Sequence, residues 1–423
     1  MKLNEAGLSK TFFRIRRLSR KLWIRAALIA MLAVVAALLA RPLSRYVPDA
    51  IANNLSEGSV SEIVKIIASS MLAVTIFSLS IMVAARQTAS SQVTPRSHQV
   101  LIEDSTTQSV LASFLGAFIF SLVSLIVIDT GYYTGRSSAV ILFFTLVVVA
   151  LVVAAILRWI DQLSDLGSVL ETTRRIEDAA LAAVRERVDW PCLGARPLTE
   201  GQLEIPARAL TIPAWTTGYV QHVDLAALVE GAADSSGQVF LMAAPGMFVT
   251  EGDPLILHTG DLKDATARKA FTIGGHRVFD QDPRFGVIVL TEIAQRALSP
   301  GINDPGTAID VISRLVRVLR EFRDERAPNE REGPHFPSIW IPPVTSEDLV
   351  RDAFDSIARD GASTIEVQVR LQKALATLAA GEDRAMREAA LAASDRALRI
   401  TLPEQIIEEH RDWLRRVAVA KSD

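Results

Sequence analysis

Ser137-Ser-Ala-Val-Ile-Leu-Phe-Phe-Thr-Leu-Val-Val-Val-Ala-Leu-Val-Val-Ala-Ala-Ile-Leu157 contains no charged side chain. About 20 such residues cross a hydrocarbon core as a helix. No water reaches the backbone at that depth, so a helix must satisfy its amides internally. Working outward, Ile66–Ala85 and Ser105–Ile128 are uncharged in the same way. A shorter run, Ala26–Ala40, follows the basic stretch Lys10–Arg25. It reaches span length if Leu22–Ile24 join it and Arg25 snorkels to the headgroups. Four transmembrane helices are therefore expected, at about 22–42, 63–85, 107–129 and 137–158. A cleaved signal peptide is the competing reading of the first run. Its basic start is long for that role, and three further spans follow.

Basic residues set the orientation. Lys2, Lys10, Arg14, Arg16, Arg17, Arg20, Lys21 and Arg25 precede the first span, Arg86 and Arg96 follow the second, and Arg158, Arg174 and Arg175 follow the fourth. The intervening loops hold only Arg41, Arg45, Lys65 and Arg136. Both termini are expected to be cytoplasmic.

The 423 residues are 49% apolar, which excludes a wholly disordered chain. With 45 basic and 48 acidic residues the net charge is −3, so nothing points to nucleic acid as a partner. The single cysteine, Cys192, excludes an intramolecular disulfide and any multi-cysteine metal site.

Past the fourth span the pattern changes. Arg158–Arg187 reads as a charged helix continuing from the membrane, with Ile160, Leu163, Leu166 and Leu170 near a 3.6 period. Trp190-Pro-Cys-Leu-Gly breaks it. Leu203–Ile212, Thr217–His222, Gln238–Ala243, Pro254–Leu257 and Ala270–Ile273 are short runs between Gly, Pro and Asp, as small strands are, with a short helix at Leu225–Glu230. Pro245–Leu255 reads as a turn, a strand and a second turn, as in compact β-sandwiches of the lipoyl-carrier type, and plain turn chemistry accounts for it. No lysine marks a hairpin tip there, so no carrier role is read. Helices are expected at Phe285–Leu298, Pro305–Arg323, from Ser346 onward, Gly361–Leu378, Glu382–Ile400 and Pro403–Ala420, with a strand at Ser338–Ile341. The fold class is thus a four-span membrane protein with a cytoplasmic α+β domain. Its parts are a basic N-terminus (1–21), the spans (22–158), a connecting helix and linker (159–200), a β-rich subdomain (201–278) and a helical subdomain (279–423).

Enzyme signatures are missing. None of the six histidines pairs at metal-ligand spacing, and there is no Walker loop, nucleophile elbow or dinucleotide fingerprint. Cys192 has no visible activating partner. No cofactor and no metal are expected, and the chain is read as non-enzymatic.

Two polar constellations remain. The second span carries hydroxyls at Ser69, Ser70, Thr75, Ser78 and Ser80, and polar residues continue past Arg86 to Pro95 and Arg96. Such hydroxyls either bond at helix contacts or line a pore whose mouth Arg86 and Arg96 would ring with charge. The third span carries Ser113-x3-Ala117-x3-Ser121, a packing seam of small residues. No charge lies in the centre of any span, which disfavours an ion-coupled pump. The second constellation is Asp280, Asp282, Arg284, Arg296, Asn303, Asp304 and Thr307, in two loops bracketing one helix. These loops either receive a ligand or subunit, or are well-capped helix starts around an Arg–Asp pair.

Ser69–Arg96, Gly131-Tyr132-Tyr133, Arg158-Trp-Ile-Asp161, Gly218-Tyr-Val-Gln-His222, Phe279-Asp-Gln-Asp-Pro-Arg-Phe-Gly286 and Ala297–Asp310 together resemble the bacterial predicted-membrane-protein family called domain of unknown function 2254. The resemblance implies a bacterial inner-membrane protein and supplies no activity or site residues. The functional expectation is a homo-oligomeric passive pore for an ion or small solute, gated through its cytoplasmic domain. The alternative is a non-conducting scaffold or sensor in the lipid bilayer whose cytoplasmic domain binds a ligand or protein. A membrane-embedded enzyme ranks third.

Overall fold

The computed structural model describes residues 57–92, 94, 96, 105–129, 135–165, 168–199, 205–231, 237–325 and 333–418, with the isolated positions 31 and 35. The expected first span, the basic N-terminus and Gly131-Tyr132-Tyr133 lie outside them. The chain divides into two compact units, a membrane unit ending at Thr172 and an α/β unit from Thr173 onward.

In the membrane unit, α1 (Glu57–Gln92), α2 (Ser105–Asp129) and α3 (Gly135–Asp165) each contain a stretch long and apolar enough to cross a bilayer: Val60–Ala84, Ser109–Asp129 and Val140–Leu163. The 36 residues of α1 exceed what a bilayer core needs, because a helix rises about 1.5 Å per residue and the core is about 30 Å thick. Its polar end therefore continues as helix past Arg86, as the run without a breaker before Pro95 implies. Among the three stretches, that of α2 is the most buried, at 44% against 22% and 28%. Ala117 and Ser121 on the small-residue row of α2 are buried, and small side chains let neighbouring backbones close in.

The expected continuous helix from Arg158 to Arg187 is two helices. α3 ends at Asp165 and α4 spans Val169–Asp189. Ser168 opens the second, its hydroxyl accepting the Glu171 N–H at 3.4 Å. A cap residue after a glycine was the local signal for this break.

The α/β unit holds two sheets that share one apolar core. β1 (Ala195–Pro197), β8 (Phe336–Ile341), β4 (Val239–Leu241), β6 (Pro254–His258) and β2 (Leu210–Pro213) lie in that order in one sheet. β5 (Phe248–Val249), β3 (Gly218–Val223) and β7 (Phe271–Gly274) form the other. Val220, Val249 and Phe271 of the smaller sheet pack with Ile212, Leu241, Ile256 and Ile339 of the larger. The helices α5 (Leu225–Gly231) and α6 (Asp264–Ala270) contribute Leu228, Ala267 and Ala270 to the same core. The five-stranded sheet takes β1 and β8 from outside residues 201–278, so the β-rich part is not one contiguous segment. β8 sits between β1 and β4 and pairs with both in parallel.

Five of the remaining helices, α7 (Pro283–Ala297), α8 (Pro305–Glu321), α9 (Ser346–Asp360), α10 (Ile365–Ala379) and α11 (Arg384–Glu404), bury their apolar faces together. α12 (Glu408–Val417) adds Leu414 against Ile365 and Val369. Asp282, Asp304 and Asp383 cap α7, α8 and α11, and Pro283 and Pro305 take first-turn positions where no N–H is missed. Thr345, rather than Ser346, caps α9, in a reciprocal box with Asp348. Pro403 does not start the last helix. It sits in the final turn of α11, which ends one residue later, and α12 begins at Glu408.

Candidate functional site

The hydroxyls of α1 do not share one face. Ser78 is fully buried, whereas Ser69 and Ser80 are exposed on the outside of the unit and Thr75 is half-buried. Ser69 donates to the Ile66 carbonyl at 3.1 Å, Thr75 to Met71 at 2.6 Å and Ser80 to Ile76 at 3.0 Å. A hydroxyl bonded to its own helix is satisfied even against lipid. The side chain of Arg86 lies outside the described residues. Arg96 is exposed in a turn beyond α1.

The other constellation separates into two places. Asp282 precedes α7 and Asp304 follows it, and the 15 residues of that helix span about 22 Å. At the near end, Asp282 is buried and accepts the Phe285 N–H at 3.2 Å and both Arg277 donors, Nε at 2.7 Å and Nη2 at 2.9 Å. Gly246, at φ +91°, brings the β4–β5 turn so close that a Cβ there would lie 2.2 Å from Asp282 Oδ2. Arg284 grips Asp352 of α9 with Nε at 2.7 Å and Nη2 at 3.1 Å, with Asp348 at 3.2 Å. Burial alone would lower the Arg284 pKa, but its bonds to Asp352 and the charges of Asp352 and Asp348 raise it. Asp280 is half-buried in the same loop.

At the far end, Asp304 accepts the Thr307 N–H at 3.0 Å and its hydroxyl at 2.5 Å, bonds that hold its carboxyl below the usual range. Asn303 adopts φ +50°, a left-handed conformation that asparagine tolerates. Its N–H donates to the Ser299 carbonyl at 2.9 Å, and that of Asp304 to Ala297 at 2.8 Å. Arg296 is half-buried in the last turn of α7, its carbonyl accepting the Ser299 hydroxyl at 2.6 Å. Gly301, Ile302 and Asn303 form an exposed tip on this well-bonded loop.

A third polar centre was not singled out from sequence. On α4, Glu177 is 5% exposed and receives Arg314 Nη1 at 2.6 Å and Arg317 Nε at 2.5 Å, both from α8. Arg314 also reaches Asp310 at 2.6 Å. Burial would raise the Glu177 pKa, yet the two guanidiniums outweigh it and hold the carboxyl below its ordinary value. One turn from the end of α4, Arg187 faces Glu325 at 3.4 Å, with side chains 2% and 1% exposed. Glu325 also accepts the backbone N–H groups of Cys192 and Val344. Between these pairs α4 meets α7 almost backbone to backbone: a Cβ on Gly286 would fall 2.5 Å from that of Ala180. The signal was present in the sequence. Glu177 and Arg187 are in step with Ile176, Ala180 and Val184, so they had to be buried with that stripe.

Cys192 is buried. Desolvation, with Glu325 adding to it, pushes its thiol well above the ordinary range, opposite to what a nucleophile needs. Among the described residues no three His, Cys, Asp or Glu side chains are grouped to hold a metal ion.

A profile of the family described as predicted membrane protein, domain of unknown function 2254, matches residues 19–377. Uncharacterized proteins of Mycobacterium tuberculosis and Mycobacterium bovis are each 28% identical over 282 residues, covering 63% of this chain and 53% of theirs. The chain thus spans about half the length of the curated relatives it matches. No solved structure matches it. With the profile covering most of the chain and the apolar helices lying within it, the protein belongs to this predicted membrane-protein family.

Proposed function

We propose that the protein is a membrane-anchored sensor or scaffold in which a ligand or protein partner acts on the α/β unit and α4 delivers the effect to the last span. The observation that carries this reading is the fixation of α4. Two ion pairs, one wholly buried, and the Gly286–Ala180 contact hold it to the helices it meets. α4 begins four residues after α3 ends. A helix held this firmly moves with its unit and passes that motion along the chain. The proposal is non-enzymatic and places the protein in a bacterial inner membrane, with both termini cytoplasmic on the positive-inside argument.

Hydrogen exchange of the full chain in bilayers tests it. Glu177→Gln frees α4, and exchange is expected to rise both in α4 and in residues 157–165 of α3. A rise confined to α4 sinks the transmission.

A second reading, the gated passive pore of a homo-oligomer, is favoured by one observation. Ser69, Ala73, Ser80, Ala84 and Gln87 place small and polar groups along the exposed side of α1. Copies packed round an axis would cover that side. Currents from purified protein in planar bilayers, compared with those of Arg86→Glu, test this reading. A persistent absence of current removes it.

A further inference from the structure

Two apolar clusters fill the membrane unit. One joins Val60 and Val64 of α1 to Val140 and Ile141 of α3, with Leu125 and Phe144 against them. The other joins Met71, Phe114, Ala117 and Val152, with Phe118 and Val148 against them. Along α2, Ser121 falls between Phe118 of one cluster and Leu125 of the other. Along α3, Thr145 falls between Phe144 and Val148. The two hydroxyls therefore occupy the level where the clusters part. Ser121 is 0% and Thr145 1% exposed, and Ser124 beside them is 1% exposed.

Neither Ser121 Oγ nor Thr145 Oγ1 has a hydrogen-bond partner among the described residues. Bonding back to the helix is available in these spans, since Ser69, Thr75, Ser80 and Ser113 all do so. These two hydroxyls do not. The remaining apolar run of the chain, Ala26–Ala40, contains only Ala, Leu, Ile, Val and Met, so it adds no hydroxyl or amide wherever it packs. A buried hydroxyl without a protein partner is ordinarily satisfied by water, and a polar site with two or more such groups is where buried water settles.

We propose that Ser121 and Thr145 line a hydrated site inside the membrane unit, in exchange with bulk water. The site lies within one copy and is separate from a pore between copies. It does not depend on the exposed row from Ser69 to Ser80.

The test replaces each hydroxyl with a thiol, in the full chain carrying Cys192→Ala, in lipid vesicles transferred to D2O. The infrared S–H stretch of Ser121→Cys and Thr145→Cys is expected to convert to S–D about tenfold faster than that of Ala117→Cys, which sits within an apolar cluster, because protected sites exchange only through opening. Should Ser121→Cys fail to fold, Ser124→Cys reads the same level. Exchange as slow as at Ala117→Cys overturns the site. A parallel arm treats Ser69→Cys and Ser80→Cys with a water-soluble thiol reagent. Fast exchange at Ser121 and Thr145 with no reaction at 69 and 80 supports the hydrated site and removes the pore between copies. Slow exchange with reaction at 69 and 80 does the reverse.

Discussion

The seam between α10 and α11 and the membrane unit both bury polar side chains, and they treat them differently. Between α10 and α11, Ser394 donates to Gln372 Oε1 at 2.6 Å, and Thr401 donates to Gln368 Oε1 at 2.9 Å. The Gln368 amide turns to the Ala358 carbonyl at 3.1 Å, and Gln405 to Ala362 at 2.6 Å. All are at most 2% exposed, and each finds a protein partner. In the membrane unit exposed Ser69 and Ser80 bond to their own helices, while the buried hydroxyls of Ser78, Ser121 and Thr145 have no partner among the described residues. A paired seam fixes which helix faces meet, because any slip strands its members at a cost. An unpaired layer fixes nothing, and a small polar guest can occupy it.

The sharpest way to break the contrast is to remove a charge from the paired side. Glu177→Gln leaves buried Arg314 only the half-exposed Asp310 as counter-charge, so the loss should approach, from below, the cost of about 3–5 kcal/mol for breaking a buried ion pair. Exchange of α4 amides in the full chain should rise accordingly, and a change under about 1 kcal/mol would mean the pair is solvated in practice. Acid acts on the same pair. Because the folded Glu177 pKa lies below 4.5, this contribution is complete above that value and is lost as pH falls through the folded pKa. Attachment of α4 should therefore hold from neutrality to about pH 5 and loosen below, and Glu177→Gln should flatten that part of the profile.

Gln372→Leu tests the seam with a neutral group. It removes the acceptor of the Ser394 hydroxyl, which is buried, and an unsatisfied buried hydroxyl costs about 1–3 kcal/mol. The measurement is exchange protection of α10 and α11. Protection equal to wild type would show that the seam repacks at no cost. The double substitution with Ser394→Ala should recover part of the loss, since removing both partners is cheaper than removing one.

The two kinds of region also differ in how much of them could be read from sequence. The spans of α1, α2 and α3 follow from hydropathy alone, because a chain in hydrocarbon must satisfy its own backbone and an uncharged run of about 20 residues does so as a helix. The helical period located α7, and Asn303-Asp304-Pro305 the start of α8, to within two residues, since both signals are local. What depends on distant pairing stayed hidden. β8 lies parallel between β1 and β4, strands far from it in the chain, and no local pattern specifies that order. The helix Asp264–Ala270 and the strand Ala195–Pro197 are too short for periodicity to show. At the candidate sites, residue types marked polarity but not destination. Asp282 went to a local pair with Arg277, Arg284 to a pair that joins α7 to α9, Asn303 to an exposed tip, and Ser78 to the opposite side of α1 from Ser69 and Ser80.

Ser121→Ala is the mildest probe and bears on the unpaired side. If the hydroxyl had a strong protein partner, its loss would resemble that of Gln372. With none among the described residues, only a replaceable water contact is lost, and hydrogen bonds between membrane helices average about 0.6 kcal/mol. The alanine also keeps the small-residue row of α2 intact, so helix packing should not change. Thermal stability of the full chain in bilayers is therefore expected to shift by about 0.6 kcal/mol or less. A larger loss would show that Ser121 is bonded to protein after all, and the two regions would then bury their polar groups by the same rule. Thr145→Val should behave alike, and the double variant should depart from additivity, since both hydroxyls face one hydrated site.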